Sequence, residues 1–310
     1  MTTHSLSTRH LFFGLFALTL LLLAACGDDH ISLRGTTTGT SGEPSSVITA
    51  RMETPRTLTD GTTLLLSHSS WESGREVMTY CLEFDKASLH SRWVAFRFDA
   101  TTRARNVQRT TPDPFADDPD LSSQWQIGSY GFGSPYNRGH LCASADRLYS
   151  RQANVNTFYM SNMSPMIGNF NSGYWTTLES LVQSLGRSAT FADTLYVVKG
   201  GTIAGGQTIG TIQREGGKKM AVPKYYFTAL LKVKNGVYSS IGFWMEHKDY
   251  NYTYDHQAPL SEIWTRAVSI NRLEELTGID FFPLLPDRAS SESQGEEKIE
   301  DQLLPANWSI

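Results

Sequence analysis

Three things are scarce in this chain of 310 residues, and each scarcity excludes something. Cysteine occurs only at Cys26, Cys81 and Cys142, without paired histidine spacing, which argues against a structural zinc site. Excess positive charge is missing. Against 31 Asp and Glu stand 27 Lys and Arg, a formal net charge of −4, so the basic balance of a dedicated nucleic-acid binder is not there. Long apolar runs are missing too: residues 11–23 form a hydrophobic run, short of the roughly 20 residues that a spanning helix needs. No internal repeat is present.

That short run nevertheless has a meaning. Residues 2–10 carry Arg9 and no acid, so basic start and apolar core together suit a signal peptide. The run ends in Leu23-Ala24-Ala25-Cys26, which resembles the lipobox of bacterial lipoproteins, where the cysteine is lipidated. The expectation is a signal peptide over 1–25, lipidation of Cys26, and an exported bacterial lipoprotein held in the cell envelope, at the outer membrane or cell surface, by acyl chains. The remaining chain has 26 basic and 31 acidic residues, a net charge of −5. Its charge is uneven. Residues 86–151 hold nine Lys and Arg against six acids, and residues 287–301 hold six acids against two bases, which allows a locally positive cleft. An oxidising compartment permits one disulfide between Cys81 and Cys142; two small buried thiols is the equal alternative.

Residues 26–60, rich in Ser, Thr, Gly and Pro, read as a flexible tether, 61–287 as one domain and 288–310 as an acidic tail from which Trp308 can pack back. Aromatic and β-branched runs predict strands at 78–84, 92–98, 157–162, 195–199, 225–233 and 238–245, with a turn at Ser164-Pro165. Three- and four-residue apolar spacing predicts a helix over 171–185 stopped by Gly186, and a second over 268–276 ending at Gly278. The class is α+β with a central antiparallel sheet flanked by helices.

Chemistry concentrates between residues 136 and 179. His140 supplies an imidazole with an intrinsic pKa of about 6.5, suited to deprotonating water. Arg138 offers a fork of donors for phosphate oxygens, and Gly139 permits close backbone approach. Asn171 opens the predicted helix, where an amide oxygen serves as a cap or as a ligand for a hard cation. Glu179 lies eight residues on, about 80° around an unbroken α-helix, placed to hold a cation-bound water rather than to share direct ligation. Cys142, two residues past His140, reads as packed or bridged rather than nucleophilic. His247 and His256 lack metal spacing and read as surface or loop residues.

The ordered set RGHL-x-A-S-A-D-R, NTFYMSNMSP and FN-x-G-x-W-x-x-LE resembles the DNA/RNA non-specific endonuclease family, of the ββα-metal nuclease fold, to which sugar-non-specific bacterial nucleases and endonuclease G belong. YCLEFD, WVAFRF, VPKYYFTALL and LEELTGIDFFPLL extend the resemblance over residues 61–287. It implies His140 as general base, Asn171 as the ligand of Mg²⁺ (or Mn²⁺), Glu179 on metal-bound water, and Arg138 on phosphate. A further arginine falls on Arg105, with Arg103 and Arg109 as competitors. The implied reaction is metal-dependent hydrolysis of DNA and RNA leaving 5′-phosphate and 3′-hydroxyl ends. Two positions depart from the pattern. Asn137 replaces the aspartate before Arg-Gly-His, and Met166 replaces the glutamine after Ser-Pro. A nucleic-acid-binding lipoprotein weakened in catalysis through Asn137 is therefore the competing reading, and a phosphodiesterase for small or lipid-linked substrates a third.

Overall fold

The computed structural model describes residues 45–285 and residue 308. The signal peptide, Cys26 and all of the acidic tail but Trp308 lie outside them. Among the described residues, no helix is long and apolar enough to cross a membrane.

Apolar alternation builds the sheet. β1 (Thr63–Glu72), β2 (Arg75–Asp85) and β3 (His90–Phe98) form a meander. After β4 (Tyr136–His140) and β5 (Met163–Ile167), the chain returns through β6 (Thr194–Gly201), β7 (Thr208–Gln213), β8 (Lys219–Pro223), β9 (Tyr225–Lys234), β10 (Val237–Glu246) and β11 (Ala267–Val268). Seven strands pair antiparallel in the order β1-β2-β3-β6-β9-β10-β11, while β4-β5 and β7-β8 are separate two-stranded ladders. Both faces of the sheet are covered. Tyr80, Leu82, Phe84, Val94, Phe96 and Leu230 join one core cluster, and Cys81, Trp93, Ala95, Phe227, Ala229 and Leu231 the other. Strands covered on both sides read as nearly continuous apolar runs, which is why the sequence pattern finds them.

Among the described residues the α-helices are α1 (Ser45–Thr49), α2 (Arg151–Asn156), α3 (Thr176–Arg187), α4 (Leu260–Trp264) and α5 (Ile270–Thr277). Leu178, Leu181, Val182 and Leu185 of α3 seal the first cluster, and Ile270 and Leu273 of α5 the second. Gly278, at φ 67°, caps α5 as expected. Gly186 is no stop, because α3 runs on to Arg187. A Cβ there would stand 2.3 Å from the Phe98 ring, so this glycine lets the helix lie close on β3.

Other expectations need correction. Residues 45–60, assigned to the tether, pack against the sheet: Ile48 is buried in the second cluster and Thr54 Oγ1 donates to its carbonyl at 2.7 Å. Cys81 and Cys142 sit as buried thiols in opposite clusters, so they do not bridge. The 157–162 strand is absent; a turn that ends α2 and a 3-10 turn (Met160–Asn162) occupy that stretch, and Ser164-Pro165 lies inside β5. Trp308 does pack back, its ring 5.8 Å from that of Phe191.

Candidate active site

Two strands and a helix present the predicted groups. In β4, Tyr136, Arg138 and His140 share one face and Asn137 and Gly139 the other. Gly139 is required because Met166 of β5 crosses over it: a Cβ would meet Met166 Sδ at 2.3 Å. Asn137 pairs in register with Met166, so the two departures from the family pattern face each other across one ladder. Buried Asn162 then fixes the turn after His140, receiving the Cys142 N–H at 2.8 Å and donating to the Cys142 carbonyl at 2.9 Å.

His140 lies edge-on to Phe158 at 5.2 Å and tilted to Phe115 at 5.9 Å. Its Nε2 is buried with no hydrogen-bond partner among the described residues. Burial, then the nearby Arg109 cation, pull its pKa down to about 3, with the Asp113 carboxylate opposing. The ring is therefore neutral, and the described residues leave that nitrogen unsatisfied. Arg138 lays its guanidinium 3.6 Å from the Phe115 ring centre and donates to the Ser129 carbonyl at 2.6 Å.

The helix begins with a π turn, Phe170–Trp175, before α3. The Thr176 N–H and hydroxyl both return to the Asn171 carbonyl, five residues back. Such a turn advances less per residue than an α-helix, so the roughly 80° expected between Asn171 and Glu179 shrinks and the two approach one face. Asn171 is thus inside a widened turn rather than at a cap, and its carboxamide has no partner among the described residues. Between them Trp175 donates its indole N–H to the His140 carbonyl at 3.2 Å, joining helix to strand. Gly173 is needed for another reason. A Cβ would strike the Tyr252 carbonyl carbon at 2.4 Å, where the 252–258 loop closes on the turn.

Charges behind the site tune it. Lys199 of β6 pairs with Asp146 at 3.1 Å, both side chains fully buried. Burial, aided by Asp146 and opposed by Lys199, raises Glu179 to about 7. Arg109 acts on both His140 and Glu179. It grips Asp113 with two bonds, of 2.9 and 2.6 Å, and Ser144 Oγ with a third at 3.0 Å. That fork, together with Arg138, holds the Asp113 carboxyl below its usual range. Arg105 is elsewhere, on the outer side of α3 beside Ser184 and Arg187. The arginine next to His140 is the competitor, Arg109. Sequence spacing alone could not separate them, because the 99–120 segment has almost no regular structure to give it a period.

Two histidines differ from their reading or went unread. His247 does lie in the loop after β10, but buried rather than at the surface: Nε2 accepts from the Ile167 N–H at 2.7 Å and Nδ1 donates to the Pro223 carbonyl at 2.8 Å. His256 is exposed as expected. His68 of β1 stands between Asp118 (3.0 Å) and Asp120 (3.5 Å). Burial pulls its pKa down, but Asp118 and then Asp120 carry it above the ordinary value. The three ligand atoms lie within 4.8 Å of one another, close enough for a cation. Nε2 is hydrogen-bonded to Asp118 and Nδ1 faces Asp120, however, so a metal at this trio would have to displace those contacts. No motif marked it, because His68 lies 50 residues from Asp118.

A model of the DNA/RNA non-specific endonuclease family matches residues 63–288. Mitochondrial nuclease EXOG of Homo sapiens is 29% identical over 230 residues, 70% of this chain but only 60% of that protein's length. Mitochondrial endonuclease G of Homo sapiens is 28% identical over 222 residues, 69% of this chain and 70% of that protein. A nuclease of Nostoc sp. is 27% identical over 205 residues, covering 65% and 70%. A crystal structure of the EndoG/EndoGI complex, reported as the mechanism of EndoG inhibition, superposes with a TM-score of 0.54 over 71% of this chain and 88% of that one. At 23% identity, that superposition speaks for the fold alone.

Proposed function

Since the chain belongs to the DNA/RNA non-specific endonuclease family, we propose that it is a divalent-metal-dependent hydrolase cutting DNA and RNA within the strand. The observation that carries the reading is the buried, partnerless Nε2 of His140, with Arg138 and Arg109 beside it. A neutral imidazole nitrogen takes the proton of an attacking water, and water attack needs no sugar hydroxyl, so DNA and RNA are both substrates. Arg138 and Arg109 receive the phosphate oxygens and the charge that develops on them. The products carry 5′-phosphate and 3′-hydroxyl ends.

The donor set fits a hard cation of the Mg²⁺ kind, with Mn²⁺ as the alternative. Such an ion keeps most of its waters, and one free carboxamide oxygen at Asn171 with a carboxylate at Glu179 suits it. When bound, the ion supplies Lewis-acid stabilisation of phosphate charge. Glu179 then orients water and must be ionised to do so. Because its pKa stands at about 7, activity falls as pH drops below about 7. A cation at Asn171 favours the carboxylate, so raising Mg²⁺ moves this acid limb to lower pH. Profiles of kcat/KM against pH at two Mg²⁺ concentrations check this; a limb that stays put, or survives in Glu179→Gln, counts against the assignment.

Cleavage of plasmid and RNA by residues 27–310, with Mg²⁺ and with chelator, tests the whole reading. Absence of cleavage with every divalent metal tried would favour the binding-only alternative. The position of Asn137 argues against that alternative. It is exposed and faces away from Arg138 and His140. Asn137→Asp is accordingly expected to change kcat/KM less than about threefold, below 1 kcal/mol; a gain above tenfold would show that the asparagine costs rate. Residues 1–26 support display on the cell envelope through a lipidated Cys26. Radiolabelled palmitate retained by Cys26→Ala would rule that out.

A further inference from the structure

Arg214, at the end of β7, does nothing in the chemistry above, yet it is among the most elaborately bonded side chains in the molecule. It is 4% exposed. Its Nε donates to the Ile127 carbonyl at 2.9 Å, Nη2 to Gly128 and Tyr130 at 2.7 and 3.0 Å, and Nη1 to Gly131 at 3.1 Å. The rings of Tyr130 and Phe132 lie 4.0 and 4.8 Å from the guanidinium carbon. Among the described residues no carboxylate bonds to it; Asp117 and Glu215 act only through space. A buried cation without a bonded counter-ion is costly and persists only when its donors are satisfied.

All four acceptors belong to one stretch, residues 127–131, which has no strand or helix of its own. Gly128, at φ +74°, bends it so tightly that a Cβ would touch the Tyr130 ring at 2.8 Å. Arg214 takes the carbonyls of 127, 128, 130 and 131. The one it leaves, Ser129, accepts from Arg138 Nη1 at 2.6 Å. Two guanidinium groups thus divide the carbonyls of a five-residue loop, and the second belongs to the residue that faces the phosphate.

We infer that Arg214 is a positioning residue: it fixes the 127–131 loop so that the Ser129 carbonyl holds the Arg138 guanidinium against Phe115 and beside His140. The inference rests on the reading of Arg138 as the phosphate contact. Orientation errors of about 1 Å at a reacting centre cost on the order of 100-fold in rate. A loop freed from its anchor lets Arg138 swing by at least that much.

The test is a double-mutant cycle on cleavage of a fluorogenic oligonucleotide in Mg²⁺, using the parent, Arg214→Met, Arg138→Ala and the double variant, with thermal melts alongside. Arg214→Met is expected to lower kcat/KM about 10- to 100-fold in the parent, chiefly through kcat, and less than about twofold when Arg138 is already alanine. Arg214→Lys keeps the charge but cannot span four carbonyls, and should recover little. Equal losses with and without Arg138 would overturn the inference, since a guanidinium that only cements the fold acts regardless of residue 138. An active parent undiminished by Arg138→Ala would overturn the reading beneath it, and a parent that cuts nothing would overturn both. Should Arg214→Met not fold, Tyr130→Ala, which strips an exposed ring from the guanidinium, runs the same cycle with a smaller coupled loss. Multiplying losses there count equally against it.

Discussion

Replacing His140 by alanine is expected to lower kcat by about 1000-fold while leaving the fold intact, a loss within the range for removing a general base. The ring packs edge-on against Phe158 but makes no side-chain hydrogen bond that folding needs, since Nε2 has no partner among the described residues. A pKa near 3 at first looks too low for a working base. That value belongs to a cleft without substrate, where burial first, and then the Arg109, Lys199 and Arg138 cations, disfavour the imidazolium. A phosphate bound to both arginines neutralises much of that field, and the ring gains basicity at the moment it is used. Low intrinsic basicity also guarantees an unprotonated acceptor at every working pH. Cleavage of supercoiled plasmid by His140→Ala, beside far-ultraviolet circular dichroism, is the measurement; a variant within tenfold of the parent sinks the assignment.

The largest loss of stability is expected from Lys199→Met, about 3–5 kcal/mol in denaturant unfolding. Lys199 and Asp146 are both fully buried and 3.1 Å apart. Asp146 Oδ2 also accepts the Ala143 N–H at 3.1 Å, but Oδ1 is buried without a partner among the described residues. Removing the ammonium leaves a carboxylate in an apolar setting with half its acceptor capacity unused. The cost comes from that stranded charge more than from the lost attraction, so Asp146→Asn in the Lys199→Met background should restore part of it. A single variant unfolding within 1 kcal/mol of the parent would show that the pair contributes little. Methionine retains most of the lysine stem, so packing against Phe96 and Trp175 is largely conserved and the comparison isolates charge.

The sheet was legible where the chain is covered on both faces, because β2, β3, β6, β9 and β10 there carry dense aromatic and β-branched residues. β1 escaped because its polar Ser67, His68 and Ser70 interrupt the pattern, although all three are buried. β4 and β5 escaped for a different reason. Arg-Gly-His and Ser-Pro-Met carry turn residues, but in a two-stranded ladder Pro165 lies opposite Arg138 without breaking it. Among the site residues, His140, Arg138, Asn171 and Glu179 could be named because they sit in a short ordered motif. Arg109 could not be separated from Arg105, and Lys199, Asp146 and Arg214 carry no motif. Their significance comes from burial and from partners distant in the chain, which a single sequence does not record. The coupling of Asn137 to Met166 likewise needs the strand register.

The widened turn at residues 170–175 acts as a phase adjuster, holding one more residue than a regular coil would fit between Asn171 and the rest of α3. Seven regular steps of about 100° end about 20° from where they began. Deleting a residue such as Ser172 would therefore let the coil tighten with Asn171 and Glu179 still on one face, whereas a residue added here would turn the carboxamide about 100° out of the cleft. Lengthening this segment is for that reason a more severe lesion than shortening it by one residue, even if every original residue keeps its identity.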